Sequence, residues 1–225
     1  MIERVINELR QLVHTLSRAM WQRVALYFAV YLLPVVGFVA LADEVREQDT
    51  LGFDDAVLRY IHEFASATND AIVIAITDFG YVWWVSAAAI ALLVILWRAR
   101  RYRDMAVVAL GIGGSAVINV ILKALFQRDR PQLWERIVTE NSYSFPSGHA
   151  MASASLAVVI MVILWPTRWR WWAIAGGVVY MVVIGLTRLY LSVHYPTDIM
   201  AGWLVAAVWV LAVAAIVYRK QRHEP

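Results

Sequence analysis

The chain has no cysteine, and that absence removes disulfides, thiolate metal sites and cysteine nucleophiles from consideration. Charge is scarce as well. Only 16% of the 225 residues are Asp, Glu, Lys or Arg, against 61% hydrophobic, and the mean hydropathy is +0.61. An ordinary water-soluble domain is excluded on that balance. Internal repeats, low-complexity segments and Asn-x-Ser/Thr sequons are also missing. Glu3, Arg4, Glu8 and Arg10 interrupt the first apolar positions, which predicts that no cleavable signal peptide is present.

What the chain does have is long apolar runs. They predict an all-α, polytopic membrane protein, a bundle of six transmembrane helices forming one membrane-embedded domain over residues 1–225. The spans run from about Val24 to Ala42, Tyr81 to Trp97, Met105 to Phe126 and His149 to Trp165, then to an end near Arg188, and from Pro196 to Tyr218. Pro34 predicts a kink in the first. The apolar run Ala71–Ile76 either extends the second span or stands apart from it. Ile2, Val5, Ile6, Leu9, Leu12, Val13 and Leu16 recur at helical spacing between charges, predicting an amphipathic N-terminal helix on the membrane surface. Phe53, Val57, Ile61 and Phe64 repeat the pattern and predict a short extracytoplasmic interfacial helix.

The pI of about 9.3 would suggest nucleic acid in a soluble protein. Here the basic residues cluster beside the spans, so the partner is the bilayer and no nucleic acid is expected. On the six-span layout, thirteen of the twenty basic residues (Arg98, Arg100, Arg101, Arg103, Arg168 and Arg170 among them) fall on the side of the termini. The positive-inside rule then places both termini in the cytoplasm. Tryptophans near span ends, such as Trp83, Trp84, Trp97, Trp165 and Trp172, fit interfacial belts.

Against this background three polar stretches stand out: Lys123 with Arg130-Pro131, then Pro146-Ser147-Gly148-His149, then Arg188 with His194 and Asp198. Up to seventy-five residues separate them, yet the layout brings all three to the extracytoplasmic face. His194 and Asp198 lie four apart with Pro196 between them, about one helical turn. An aspartate on one ring nitrogen fixes the tautomer and frees the other nitrogen to attack, which makes His194 a candidate nucleophile and Asp198 its orienter. Taken alone, the same spacing serves a structural helix terminus equally well. Ser147 suits a helix cap, Gly148 lets a ligand approach the backbone, and the exposed amides attract an anion. A plain cap accounts for Ser147 but leaves His149 unexplained, and a histidine there can give a proton to a leaving oxygen. Lys123, Arg130 and Arg188 can bind phosphoryl oxygens or snorkel to lipid headgroups. Arg128 and Asp129 are read as supporting residues, paired with each other or with Arg130.

The set Lys123-x6-Arg130-Pro131, Pro146-Ser147-Gly148-His149 and Thr187-Arg188-x5-His194-x3-Asp198 resembles the signature of the type 2 phosphatidic acid phosphatase family. That family is related to vanadium-dependent haloperoxidases and some acid phosphatases. The likeness covers a catalytic half of about residues 105 to 218. Thr187 stands where the family usually has serine; the hydroxyl survives, and the extra methyl could narrow the site.

The resemblance implies a phosphohistidine mechanism. His194 attacks phosphorus, His149 protonates the departing oxygen, and Lys123, Arg130, Arg188 and the Ser147-Gly148 amides hold the equatorial charge. It implies no cofactor and no metal, and the chain offers no obvious carboxylate or histidine cage. The implied substrate is a lipid phosphate: undecaprenyl pyrophosphate, phosphatidylglycerophosphate, phosphatidic acid or diacylglycerol pyrophosphate. An outward-facing site ranks the polyprenyl carrier first. The short loops and missing sequons lean towards a bacterial inner-membrane enzyme. Lipid A phosphatase or phosphotransferase chemistry would use the same residues. A catalytically silent lipid-phosphate binding or transport protein would have no use for both histidines. The Phe53–Phe64 stripe, on the same outer face, is expected to border the lipid entrance.

Overall fold

Pro34 has no N–H to give to the carbonyl one turn back, and the chain widens just before it. In the computed structural model, which describes residues 18–47, 52–134 and 137–219, α1 (Arg18–Tyr27) passes into a π-helical turn, Phe28–Leu32. There the Leu33 N–H reaches back five residues to Phe28 O before α2 (Leu33–Arg46) begins. A π turn thus precedes Pro34, where a kink was predicted. The predicted N-terminal helix over residues 2–16 lies outside the described residues.

Next comes α3 (Gly52–His62), whose inward face is Asp54, Val57, Leu58 and Ile61. Phe53 and Phe64 of the predicted stripe are exposed, and Phe64 lies past the helix end. The stripe is rotated because buried Asp54 turns inward to polar partners. Ser66 caps α4 (Ala67–Thr77) by accepting from Asn69 N. A 3-10 turn, Asp78–Gly80, joins it to α5 (Val82–Arg98), and the two segments bend by 43°. The run Ala71–Ile76 therefore belongs to α4. The remaining helices are α6 (Tyr102–Phe126), α7 (Gly148–Leu164), α8 (Arg170–Tyr190) and α9 (Pro196–Arg219).

The regular elements among the described residues are all helices, with no strand. Four helical segments are long and apolar enough to cross a membrane: Phe28–Arg46, α6, α8 and α9. The bent α4–α5 pair makes a fifth if counted as one span. The apolar α7 has 17 residues, about 26 Å of helix against roughly 30 Å of hydrocarbon core. It compensates by sitting inside the bundle, packed on α5, α6, α8 and α9. The protein is an all-helical, multi-pass membrane protein.

Small side chains let α7 take that place. Ala150, Ser153, Ala154 and Ala157 are buried along it. Opposite stands Gly202 of α9, where a Cβ would lie 3.1 Å from both Ala150 Cβ and Ser147 O. The resulting close approach brings the first turns of α7 and α9 together, and Ser147 N donates to Asp198 O at 3.1 Å. The C-terminal ends of α6 and α8 meet the same corner, so the three polar stretches converge.

Candidate active site

His194 sits in the short turn between α8 and α9 and is buried. Its Nδ1 lies 3.3 Å from Asp198 Oδ2, with Ser144 Oγ also at 3.3 Å. Asp198 is ringed by donors. Oδ2 accepts from Tyr195 N at 2.9 Å and from Ser144 Oγ, and Oδ1 accepts from Arg128 Nη1 at 2.6 Å. A carboxylate so placed accepts a hydrogen bond from Nδ1–H, which leaves the lone pair on Nε2. Arg130 Nη1 stands 3.3 Å from that Nε2. Burial, followed by the Arg130 and Arg188 charges, pushes the His194 imidazole down to about 3 against the pull of Asp198, so it is neutral near neutral pH.

The cations are held from the loop between α6 and α7. Arg130 Nε donates to Ser142 O at 2.8 Å and Nη1 to Val193 O at 2.8 Å. Lys123 Nζ, on the last turn of α6, donates to Tyr143 O and to Ser142 Oγ. Arg188 donates to Thr77 Oγ1 at 3.1 Å and pairs with Glu140, whose other oxygen is 3.8 Å from Arg130. Ser147 is buried as the α7 cap, its hydroxyl accepting from Ala150 N. The His149 ring meets Tyr81 edge-on at 5.3 Å, and its Nε2 is buried with no partner among the described residues.

A cavity of about 450 Å³ joins part of this set; Arg188, Ser147 and Asp198 stand behind its lining. Lys123, Arg130, Glu140, Gly148, His149 and His194 line its polar end. Val82, Val85, Ile112, Ala116, Val120 and Met151 make the remainder between α5, α6 and α7 mostly apolar, with Ser86, Ser115 and Ser155 among them. No residue of α3 lines this cavity, so the expected border at Phe53–Phe64 is not where it opens.

Arg128 differs from its expected pairing. It bridges two buried carboxylates, donating from Nη2 to Asp54 Oδ2 at 3.0 Å and from Nη1 to Asp198, with its guanidinium 4.1 Å from the Tyr195 ring centre. Asp54 also accepts from Thr197 N at 3.1 Å and Thr197 Oγ1 at 2.7 Å. Thr187 bonds Thr77 Oγ1 at 3.0 Å and Ile184 O, and lies outside the cavity lining, so its methyl does not narrow that space.

A sequence model of the PAP2 superfamily matches residues 104–222, a stretch that contains every predicted site residue. The chain belongs to the PAP2 superfamily. An undecaprenyl-diphosphatase of Sulfolobus acidocaldarius is 28% identical over 172 residues, covering 72% of this chain and 77% of the relative. Phosphatidylglycerophosphatase B of Bacillus subtilis is 28% identical over 177 residues, covering 74% and 84%. In fold, the chain is similar to the crystal structure of a transmembrane PAP2-type phosphatidylglycerolphosphate phosphatase from Bacillus subtilis. The TM-score there is 0.75 at 22% identity, with 85% of this chain and 98% of that one covered.

Thr77, Tyr81, Glu140 and Ser144 touch the predicted PAP2 site groups, and Asp54 reaches them through Arg128; none of these was singled out from sequence. Asp54 carried a signal, being an aspartate one residue after the first position of an apolar stripe. Ser144, three residues before Ser147, and Glu140 carried none. Asp54, Thr77 and Tyr81 precede the matched segment altogether.

Proposed function

We propose that this PAP2 protein is an integral-membrane lipid phosphatase working through a phosphohistidine on His194. The observation that carries the reading is the two-ended cavity: His194, His149, Lys123 and Arg130 at one end, mostly apolar helix faces at the other. A headgroup phosphate fits the polar end while its chain stays between α5 and α6.

In this reading His194 Nε2 forms a bond to phosphorus as the bond to the leaving oxygen breaks, and His149 gives that oxygen a proton. Lys123, Arg130 and Arg188 hold the equatorial oxygens, with the Gly148 amide at the start of α7 adding to them. Water then attacks the phosphohistidine, His149 takes its proton back, and inorganic phosphate leaves.

Six spans follow if α4–α5 and the short α7 each cross the bilayer. Both termini then lie in the cytoplasm with most of the basic residues, and the site faces the periplasm of a cell inner membrane. Single-domain organisation over 1–225 fits that layout, because Asp54, Thr77 and Tyr81 reach the catalytic half from outside it. An outward site favours undecaprenyl pyrophosphate, with phosphatidylglycerophosphate next; both have support in the names of relatives.

The test is phosphate release from a panel of lipid phosphates with EDTA present, comparing wild type with His194→Ala. Release that is lost in the variant supports the reading, and the best lipid names the substrate. Release that survives in His194→Ala, or no release from any lipid by folded wild type, overturns it.

A further inference from the structure

Asp54 is a fully buried aspartate on α3, fifty residues before the matched PAP2 segment begins. Its hydrogen bonds lead to one place. Two go to Thr197, in the first turn of α9, and the third goes to Arg128. The other terminal nitrogen of Arg128 goes to Asp198 Oδ1. One guanidinium therefore stands between two buried carboxylates, and the second of these orients the nucleophile.

Asp198 divides its work by oxygen. Oδ1 faces Arg128, while Oδ2 faces His194 Nδ1, Ser144 Oγ and Tyr195 N. A buried carboxylate shared between a cation and an imidazole is pulled towards whichever partner is less compensated. Were Asp54 neutral, the whole Arg128 charge would fall on Asp198 and weaken its hold on His194.

We propose that Asp54 is a positioning residue for the nucleophile. It neutralises Arg128, so that Asp198 spends its charge on His194, and it pins the α9 turn that carries Asp198. The inference rests on the phosphohistidine reading of His194. It assigns a role to α3, which supplies no residue to the cavity.

The alternative is that Asp54 only ties α3 to α9. Asp54→Asn separates the two: its amide oxygen still accepts from Thr197 N and its NH2 can donate to Thr197 Oγ1, while the charge is gone. We expect kcat to fall about 10- to 100-fold, the usual cost of losing a partner behind an active group, with KM unchanged. In an Asp198→Asn background the same substitution should cost less than about twofold, because Asp54 acts through Asp198. Thr197→Val removes the hydroxyl arm of the tie, and with it an acceptor of Arg128 Nη1 at 2.8 Å, but keeps both pairs of Arg128 with Asp54 and Asp198, and should lower kcat less than about threefold.

A folded Asp54→Asn protein with wild-type kcat overturns the proposal, as does a full additional loss in the Asp198→Asn background. If Asp54→Asn does not fold, a Thr197→Val protein with kcat down tenfold or more overturns it in favour of the plain tie, and one near wild type supports it. Wild type and His194→Ala are assayed alongside. If wild type is inactive or His194→Ala is active, the phosphohistidine reading itself fails. If only the Asp54 arms disagree, this proposal alone fails.

Discussion

Glu140 lays one carboxylate oxygen on Arg188 and holds the other 3.8 Å from Arg130. These are two of the three cations proposed to hold the phosphate, so a carboxylate sits among groups suited to phosphoryl oxygens. An incoming dianion must share the arginines with Glu140 or move it aside. Glu140→Gln removes that competing charge. Inorganic phosphate should then inhibit more tightly, by about fivefold for a partly exposed pair worth about 1 kcal/mol. A competitive inhibition constant equal to that of wild type would mean Glu140 does not compete for the anion.

The hydroxyl of Thr77 receives Arg188 Nη1 at 3.1 Å and Thr187 Oγ1 at 3.0 Å. Through it, the end of α4 fixes an arginine at the end of α8. Thr77→Val should leave a buried guanidinium nitrogen without its partner, at about 1.5–3 kcal/mol, and raise KM by about tenfold or more. Thr77→Ser keeps the oxygen and should restore KM. Equal effects from the two substitutions would assign Thr77 to packing instead.

Burial, with the cations Arg130 and Arg188 beside it, holds the His194 imidazole at about 3, whereas in the unfolded chain it titrates near about 6.5. Between those values the unfolded state binds a proton that the native state refuses. The folded protein therefore keeps its full margin above the unfolded value and loses it as pH falls towards the folded one. His194→Asn removes this contribution. From about pH 7 to about pH 5 the Tm of wild type should fall more steeply than that of the variant. Parallel curves would show that folding does not depress the His194 imidazole.

The motif residues were legible because each is a costly polar group set against an apolar background, and because the proposed six-span layout puts their stretches on one face. Their surroundings were not. Asp54 meets Thr197 across 143 positions, and Thr187 meets Thr77 across 110. No local pattern encodes such a pairing. Arg128 shows the difference best: its charge was visible, and proximity in sequence suggested Asp129 or Arg130. Its partners came instead from α3 and α9, which only the packing of α9 against the corner could bring within reach. The helix of Asp54 was legible by spacing, but its facing was not, since the apolar stripe alone gave no reason to turn an aspartate inward.

Gly113 lines the apolar part of the cavity on α6, and a Cβ added there meets nothing within 4 Å. It lies ten residues before Lys123, about 15 Å along the helix. On the proposed reading a lipid chain runs past this point while its phosphate is held above. Gly113→Phe should obstruct the chain without touching the polar end, and replacing a helical glycine should not weaken α6. The expected result is a split by substrate. KM for a long-chain lipid phosphate should rise about tenfold or more, as filling an apolar subsite does, while a short water-soluble phosphate ester is turned over within about twofold of wild type. An equal loss on both substrates would indicate a disturbed polar end. No loss on either would place the chain elsewhere, outside the groove between α5 and α6.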